Sequence, residues 1–306
     1  MDIRSVVIGV DFSPAIRSAG RWVHDVIAPG ASITLVHAFD PTPLPSFLKD
    51  VLSPEAEAQQ SALAEGESLL AEWRRDNGLG EAEAQLIVRG GRPATVIDEV
   101  AQEMKAELIV IGPHGLTERP WRRVGSTAER LIRGAEASVL VLSGETPRDP
   151  LGVPRRLVVA VDDASITPAV LSTAGRLAER FDASIRAVHV LSSAAYSHML
   201  SANAAEATSP EEARAKVQSD LSEEALRWLS ALWKHTTGRV RIDVEVPHGS
   251  PGDEILAVAE RSNADLIIIG RYGAGRVLPA ILGSVVGTVV QGARCPVLVA
   301  GASAAG

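Results

Sequence analysis

Two glycine-rich segments with identical spacing carry residue types that can bind an anion. The first reads Gly112-Pro113-His114-Gly115, then nine residues, then Gly125-Ser126, and the second reads Gly270-Arg271-Tyr272-Gly273, then nine residues, then Gly283-Ser284. Glycine lets the backbone approach a ligand closely. Successive N–H groups at the start of a helix suit phosphate oxygens, and each serine hydroxyl adds a donor. The spacing therefore predicts two phosphate-binding loops.

Both loops also have a purely structural interpretation, as tight turns between a strand and a helix. Duplication of a gene copies such turns as readily as it copies a binding site, so the repetition alone does not decide between them. No lysine follows the second glycine pair in either copy, which excludes the phosphate loop of P-loop enzymes.

An aspartate closes the first apolar run of each half, at Asp11 and Asp162. If that strand lies beside the fourth, the aspartate and the glycine loop meet at the carboxyl edge of the sheet, where such folds bind ligands. The carboxylate could accept from a ribose hydroxyl or an adenine amine, or help to hold a metal. A cap on the next helix is an equally open interpretation. His37 and His189 match on the second strand, and a core or supporting role is favoured for both.

The apolar runs and helical patterns repeat in the same order in both halves. Short β-branched runs are typical of strands buried on both faces, and their alternation with helices indicates a parallel sheet covered by helices. Pro14 and Pro168 fit the first turn of a helix. We predict strands at 5–11, 33–38, 85–90, 108–112, 139–142, 157–162, 185–190, 244–249, 266–270 and 297–300, and helices at 53–78, 93–104, 209–237 and 251–262. The predicted domains are 1–144 and 155–302, joined by a Pro- and Gly-rich linker at 145–154.

Composition excludes several other classes of function. The 306 residues carry 30 basic and 38 acidic side chains, a formal net charge of −8, so the basic surface of a nucleic-acid-binding protein is missing. No apolar stretch reaches the ~20 residues of a membrane span, and no secretory signal pattern opens the chain. The single cysteine, Cys295, allows no intrachain disulfide. We expect a cytoplasmic protein that binds neither nucleic acid nor membrane.

The chain resembles the universal stress protein family along nearly its whole length, twice. The resemblance rests on Val7 to Pro14, Leu35-Val36-His37, Ile111 to Gly115, Gly125-Ser126 and Arg294 to Val299. It implies a Rossmann-like α/β fold of the adenine nucleotide alpha hydrolase type, with a five-stranded parallel sheet in the order 3-2-1-4-5 in each half. It also implies ATP, ADP or AMP as ligand, with adenine near the ends of strands one and two, phosphates on the glycine loop, and Mg²⁺ carried by the phosphates rather than by an assigned metal site.

The family's nucleotide-binding positions transfer to this sequence residue by residue. In the first half they are Gly9, Val10, Asp11, Ala38, Ile111, Gly112, His114, Gly115, Gly125, Ser126 and Thr127. In the second half they are Ala160, Val161, Asp162, Val190, Ile269, Gly270, Tyr272, Gly273, Gly283, Ser284 and Val285. The loops depart from each other at Pro113, which lacks an N–H that could face phosphate, and at Tyr272 in place of His114.

The resemblance further implies a role in the stress response through nucleotide-dependent signalling, with no catalytic residue assigned. It also implies that the fifth strands pair, 138–142 with 296–300, and that the protein forms a homodimer. Two alternatives stay open: a slow ATP hydrolase or adenylyl-transfer enzyme on the same fold, and a nucleotide-free interaction scaffold.

Overall fold

The computed structural model describes residues 3–39, 55–113, 125–143, 152–162, 167–191, 193–204, 209–233, 240–271 and 284–301. The chain divides into two compact units, Asp2–Gly152 and Val153–Gly306, which we term repeat 1 and repeat 2. Each contains five parallel strands with helices between them, so the predicted α/β fold class is confirmed. Among the described helices, none combines the length and the apolar character that crossing a bilayer would need.

Repeat 1 is built on a parallel sheet whose neighbouring strands follow the order β3-β2-β1-β4-β5. The first, fourth and fifth strands along the chain are buried on both faces, and residues such as Val6, Ile8 and Ile109 are completely buried. The strands are β1 (Ser5–Gly9), β2 (Ser32–Phe39), β3 (Ala84–Gly90), β4 (Leu108–Ile111) and β5 (Ser138–Val141).

Repeat 2 carries the same arrangement in the order β8-β7-β6-β9-β10. Its strands are β6 (Arg156–Ala160), β7 (Ser184–Val188), β8 (Ile242–Glu245), β9 (Leu266–Gly270) and β10 (Val297–Ala300). The predicted run 244–249 thus begins and ends too late. Pro247 cannot donate to a strand ladder, and strands rarely pass through such a residue.

The helices that cover these sheets begin mostly at the predicted positions. In repeat 1 they are α1 (Ala19–Trp22), α2 (Glu55–Asp76), α3 (Pro93–Glu103) and α4 (Ser126–Gly134). In repeat 2 they are α5 (Thr167–Phe181), α6 (Ser193–Ala204), α7 (Pro210–Trp233), α8 (Pro251–Arg261) and α9 (Ser284–Gly292). Helix α6 was not expected from the sequence. The Tyr196 ring of this helix stacks on the His248 ring, with the two centroids 3.7 Å apart.

The helix expected to follow Pro14 is broken, and a side chain from α2's end explains the break. A 3₁₀ turn (Pro14–Ile16) is followed by α1 and by a π turn (Val23–Ile27). The Asn77 amide nitrogen donates to the carbonyl of Arg17 at 2.9 Å, and its oxygen accepts from the N–H of Arg21 at 3.3 Å. These two backbone groups would bond each other in a continuous α-helix. Asn77 therefore replaces a helical hydrogen bond, a recognised cause of helix distortion.

A carboxylate secures the amino end of the first strand in both repeats. Glu107 accepts from the N–H of Arg4, and at the matched position Asp265 accepts from the N–H groups of Arg155 and Arg156, both at 3.0 Å. Burial alone would raise the pKa of Asp265. The Arg156 guanidinium and the backbone donors outweigh that effect and hold the pKa of this carboxyl below its ordinary value.

We expect Asp265→Ala to lower the free energy of unfolding of repeat 2 by about 1–2 kcal/mol at neutral pH, because it leaves charge-assisted hydrogen bonds unmade in a partly exposed setting. The folded-state pKa is depressed, so this contribution is present above about pH 4 and is lost as the pH falls through the folded-state value. Denaturant unfolding at pH 7 and pH 3 measures the loss of stability and its dependence on pH. Glu223→Ala, at an exposed carboxylate on α7 that faces Arg227 at 3.8 Å, is the control and should leave the midpoint unchanged. An equal deficit at both pH values would contradict the assignment.

The single cysteine lies near the same carboxylate. Burial, reinforced by the negative charge of Asp265, raises the pKa of the Cys295 thiol to about 12. The thiol is therefore neutral at physiological pH, and because the thiolate is the reactive form, Cys295 is a poor nucleophile in the folded protein.

Candidate functional site

A cavity of about 370 Å³ opens at the carboxyl edge of the repeat 1 sheet. Strands β1 and β4 are neighbours there, with Ile8 opposite Val110, and the chain leaves them in different directions at the point where the strand order reverses. Open α/β sheets bind ligands at this point. The cavity is lined by Gly9, Val10, Asp11, Val36, His37, Ala38, Pro93, Ile97, Ile111, Gly112, Pro113, Gly125, Ser126, Thr127 and Ala128.

Asp11 serves the backbone and the cavity at the same time. Its Oδ1 accepts from the N–H of Ser13 at 2.9 Å, which forms a tight turn directly before the 3₁₀ turn. Within that turn Phe12 has a φ of +59°, a left-handed conformation that costs energy for a residue with a side chain. The carboxylate also lines the cavity. Asp11 therefore forms a turn at the residue before the 3₁₀ turn and does not cap an N–H of that turn, and its ligand role stays a prediction.

His37 lines the cavity as well, although the sequence favoured a core or supporting role. Its Nδ1 lies 2.8 Å from the carbonyl oxygen of Val10. A carbonyl can only accept, so Nδ1 is the donor in this hydrogen bond. The ring of Phe12 packs against the imidazole with centroids 4.7 Å apart. His37 thus joins the end of β1 to the end of β2 on the border of the cavity.

The phosphate side of the cavity is formed by the start of α4. Gly125 is the residue before the helix, and Ser126, Thr127 and Ala128 form its first turn. The N–H groups of a first turn have no partner within the helix and give that end partial positive charge. The N–H of Gly125 itself donates to the carbonyl of Pro113 at 3.0 Å. This bond ties the two ends of the glycine loop together and takes Gly125 out of the set of free donors.

Repeat 2 places its matched residues in the same register. Val159 of β6 lies opposite Ile268 of β9, as Ile8 lies opposite Val110. The N–H of Val161 donates to the carbonyl of Val188, and Nδ1 of His189 lies 3.1 Å from the carbonyl of Val161. Predicted residues at this edge are Ala160, Val161, Asp162, Val190, Ile269, Gly270, Ser284 and Val285.

Several predicted residues lie outside the described residues. They are His114, Gly115, Tyr272, Gly273 and Gly283. Their place in the two sites stays a prediction.

Residues from α3 complete the cavity, and the sequence prediction missed them. Pro93 and Ile97 come from the first turns of the helix after β3. The matched Pro251 in repeat 2 was a usable signal, because the start of that helix also reaches the carboxyl edge. Among the described residues, no group of three or more His, Cys, Asp or Glu side chains could hold a metal ion.

Comparison with known proteins identifies relatives along the whole chain. The universal stress protein family matches twice, over residues 2–143 and 154–301. Universal stress protein Rv2623 of Mycobacterium tuberculosis is 28% identical over 311 residues, covering 96% of this chain and 95% of the relative. A universal stress protein of Mycolicibacterium smegmatis is 25% identical over 302 residues, covering 96% of each chain.

A solved structure shares the fold of the chain. A universal stress protein from Archaeoglobus fulgidus superimposes with a TM-score of 0.64 at 19% identity and covers 97% of this chain and 96% of its own length. The two family matches together span most of the sequence, one on each repeat. The chain belongs to the universal stress protein family and carries two of its domains in tandem.

Proposed function

We propose that this protein binds an adenine nucleotide, ATP in the first instance, in the repeat 1 cavity and acts in the stress response by nucleotide-dependent signalling. The observation that carries the proposal is the meeting of three features in one cavity: the Asp11 carboxylate, the His37 imidazole and the first turn of α4. The helix start suits phosphate, and the other two groups suit ribose and base.

The size and lining of the cavity support a ligand of this class. Its volume of about 370 Å³ lies within the ~300–1,000 Å³ of small-molecule sites. Apolar residues such as Val36, Ile97 and Ile111 supply a surface for a base, and the polar groups lie at two separate places. An elongated ligand with one flat apolar end and one anionic end matches this distribution.

Slow turnover or none fits the same lining. Efficient phosphoryl transfer needs a placed nucleophile and cations that neutralise developing charge. No lysine or arginine belongs to the described lining of the cavity. Mg²⁺ would enter with the nucleotide phosphates, and Asp11 is the lining carboxylate that could contact it. We therefore infer that the nucleotide acts through its presence or absence.

Isothermal titration calorimetry of the full chain with ATP and Mg²⁺ tests the proposal. We expect saturable binding, and a rise in the unfolding temperature with ligand, since 100 Kd of ligand adds about 2.7 kcal/mol to the stability of the folded state. Neither heat nor a shift of the unfolding temperature with millimolar ATP, ADP or AMP would contradict it and favour a nucleotide-free scaffold. Steady-state hydrolysis near ~1 s⁻¹ would favour the enzyme alternative.

The remaining expectations are also proposals. The cytoplasmic location rests on composition, whereas pairing of the fifth strands (138–142 with 296–300) and a homodimer rest on the family resemblance.

A further inference from the structure

The two matched sites differ at several of their lining residues. From these differences we infer that repeat 1 binds the nucleotide at least tenfold more tightly than repeat 2. The inference rests on the proposed function and concerns how it is divided between the repeats. The shared strand register allows each lining residue of repeat 1 to be matched with one in repeat 2. Of the fifteen lining residues, ten are identical in repeat 2, and none is replaced by a smaller one.

The floor of the site differs at one carbon atom. A Cβ added to Gly9 would lie 2.7 Å from Cδ1 of Ile97 and 3.2 Å from Cγ2 of Ile111, and both isoleucines line the cavity. Repeat 2 has Ala160 at the position of Gly9, with isoleucine again at both matched neighbours. The Ala160 methyl group therefore occupies space that Cδ1 of Ile97 approaches in repeat 1, so the matched isoleucine of repeat 2 has to move.

Two wall residues of the site are also larger in repeat 2 than in repeat 1. Ala38 at the end of β2 is replaced by Val190, and Ala128 in the first turn of α4 is replaced by Val286. Each replacement adds two carbon atoms beside the position of the ligand. Close-packed surroundings relax only partly around added atoms, so the volume left for a ligand falls.

The phosphate side also changes. Val285 replaces Thr127, which removes a hydroxyl donor from the first helical turn at nearly constant size. Arg271 replaces Pro113 and is only 7% exposed. A guanidinium attracts phosphate, but with so little exposed surface the Arg271 side chain mainly fills interior space.

Exchange of the size-determining residues tests the inference in the full chain. We expect ATP with Mg²⁺ to titrate one tight site per wild-type chain in calorimetry. Gly9→Ala gives repeat 1 the floor of repeat 2 and should weaken the tight site at least tenfold. Ala38→Val makes the matching change at the wall, away from the Ile97 contact, and should weaken it too. The double variant Ala160→Gly/Val190→Ala gives repeat 2 the smaller residues of repeat 1 at the floor and at one wall, and it should raise the stoichiometry towards two.

The outcomes separate this inference from the proposed function. Two sites of equal affinity in the wild type would overturn the inference and leave nucleotide binding intact. A tight site that survives both Gly9→Ala and Ala38→Val in variants with wild-type unfolding temperatures would also overturn it. Absence of any binding by the wild type would instead remove the proposed function itself.

Discussion

Replacing Thr127 with glutamate should abolish the repeat 1 site and leave the fold intact. Thr127 lies in the first turn of α4 and lines the cavity, so the new carboxylate would face the phosphates of the ligand. Two unit charges ~4 Å apart repel by about 4 kcal/mol at an effective dielectric constant of ~20. We therefore expect the Kd for ATP to rise at least about 100-fold. Calorimetry gives the Kd. An acidic side chain at a helix start is favourable, so the unfolding temperature should not fall.

Two comparison variants show whether the charge of the new side chain, its size or its position causes the loss of binding. Thr127→Gln has nearly the same size as Thr127→Glu without the charge, and it should weaken binding far less. Ser32→Glu adds the same charge at the exposed amino end of β2, six residues from Ala38, which is ~20 Å along a strand. That distance exceeds the Debye length at physiological salt, so binding should be unchanged. Similar losses in Thr127→Gln and Thr127→Glu would show that phosphate does not lie on α4.

Replacing Asn77 with aspartate should destabilise repeat 1 severely. Asn77 is 4% exposed, and its amide nitrogen donates to the carbonyls of Arg17 and Trp73 at 2.9 Å. A carboxylate cannot donate and would face two carbonyl oxygens in a buried site. Leaving buried polar groups unsatisfied costs ~1–3 kcal/mol each, and more for a charged group, so we expect the free energy of unfolding to fall by about 3 kcal/mol at pH 7.

The pH dependence of this variant identifies the cause. A protonated aspartate can donate one hydrogen bond, so the deficit relative to wild type should be smaller near pH 4 and grow as the pH rises. Asn263→Asp is the matched control. It makes the same change in a turn where the backbone is left-handed, φ +48°, a conformation that Asp tolerates as Asn does. If the denaturant midpoints fall equally in the two variants, loss of the Asn77 amide contacts is not the cause.

The sheet and the location of the site could be predicted because they depend on local patterns. Short, β-branched apolar runs such as Leu266–Gly270 are typical of strands buried on both faces, and Pro93 and Pro251 mark helix starts by their missing N–H. Because the same patterns recur in the same order, the two halves could be predicted to share one fold. The carboxyl-edge rule then placed Asp11 near the start of α4, and the structure has both residues on one cavity.

Features that depend on contacts distant in sequence could not be predicted. Asn77 lies sixty residues from Arg17, and nothing in the sequence near Pro14 shows that an amide from another helix interrupts that segment. The bond from Gly125 to the carbonyl of Pro113 depends on how the loop ends meet. The small residue at Gly9 has meaning only beside Ile97, whose side chain comes from a helix almost ninety residues away.

The division of the site between conserved framework and variable lining has a functional consequence. The tandem chain keeps strand register, the aspartate and the histidine contact in both repeats, so both halves retain the framework of a ligand site. Five of the fifteen residues that line the repeat 1 cavity differ at the matched positions of repeat 2, and none of the five is smaller there. A second site of lower affinity would respond to nucleotide concentrations at which the first is already saturated, because occupancy depends on the ratio of ligand concentration to Kd.

A crystal structure of the full chain grown with ATP and Mg²⁺ tests nucleotide binding most directly. We predict nucleotide density in repeat 1, with phosphates at the N–H groups of Ser126, Thr127 and Ala128 and the base beside the ends of β1 and β2, near Asp11 and His37. An empty repeat 1 cavity at saturating ATP would contradict the proposed function.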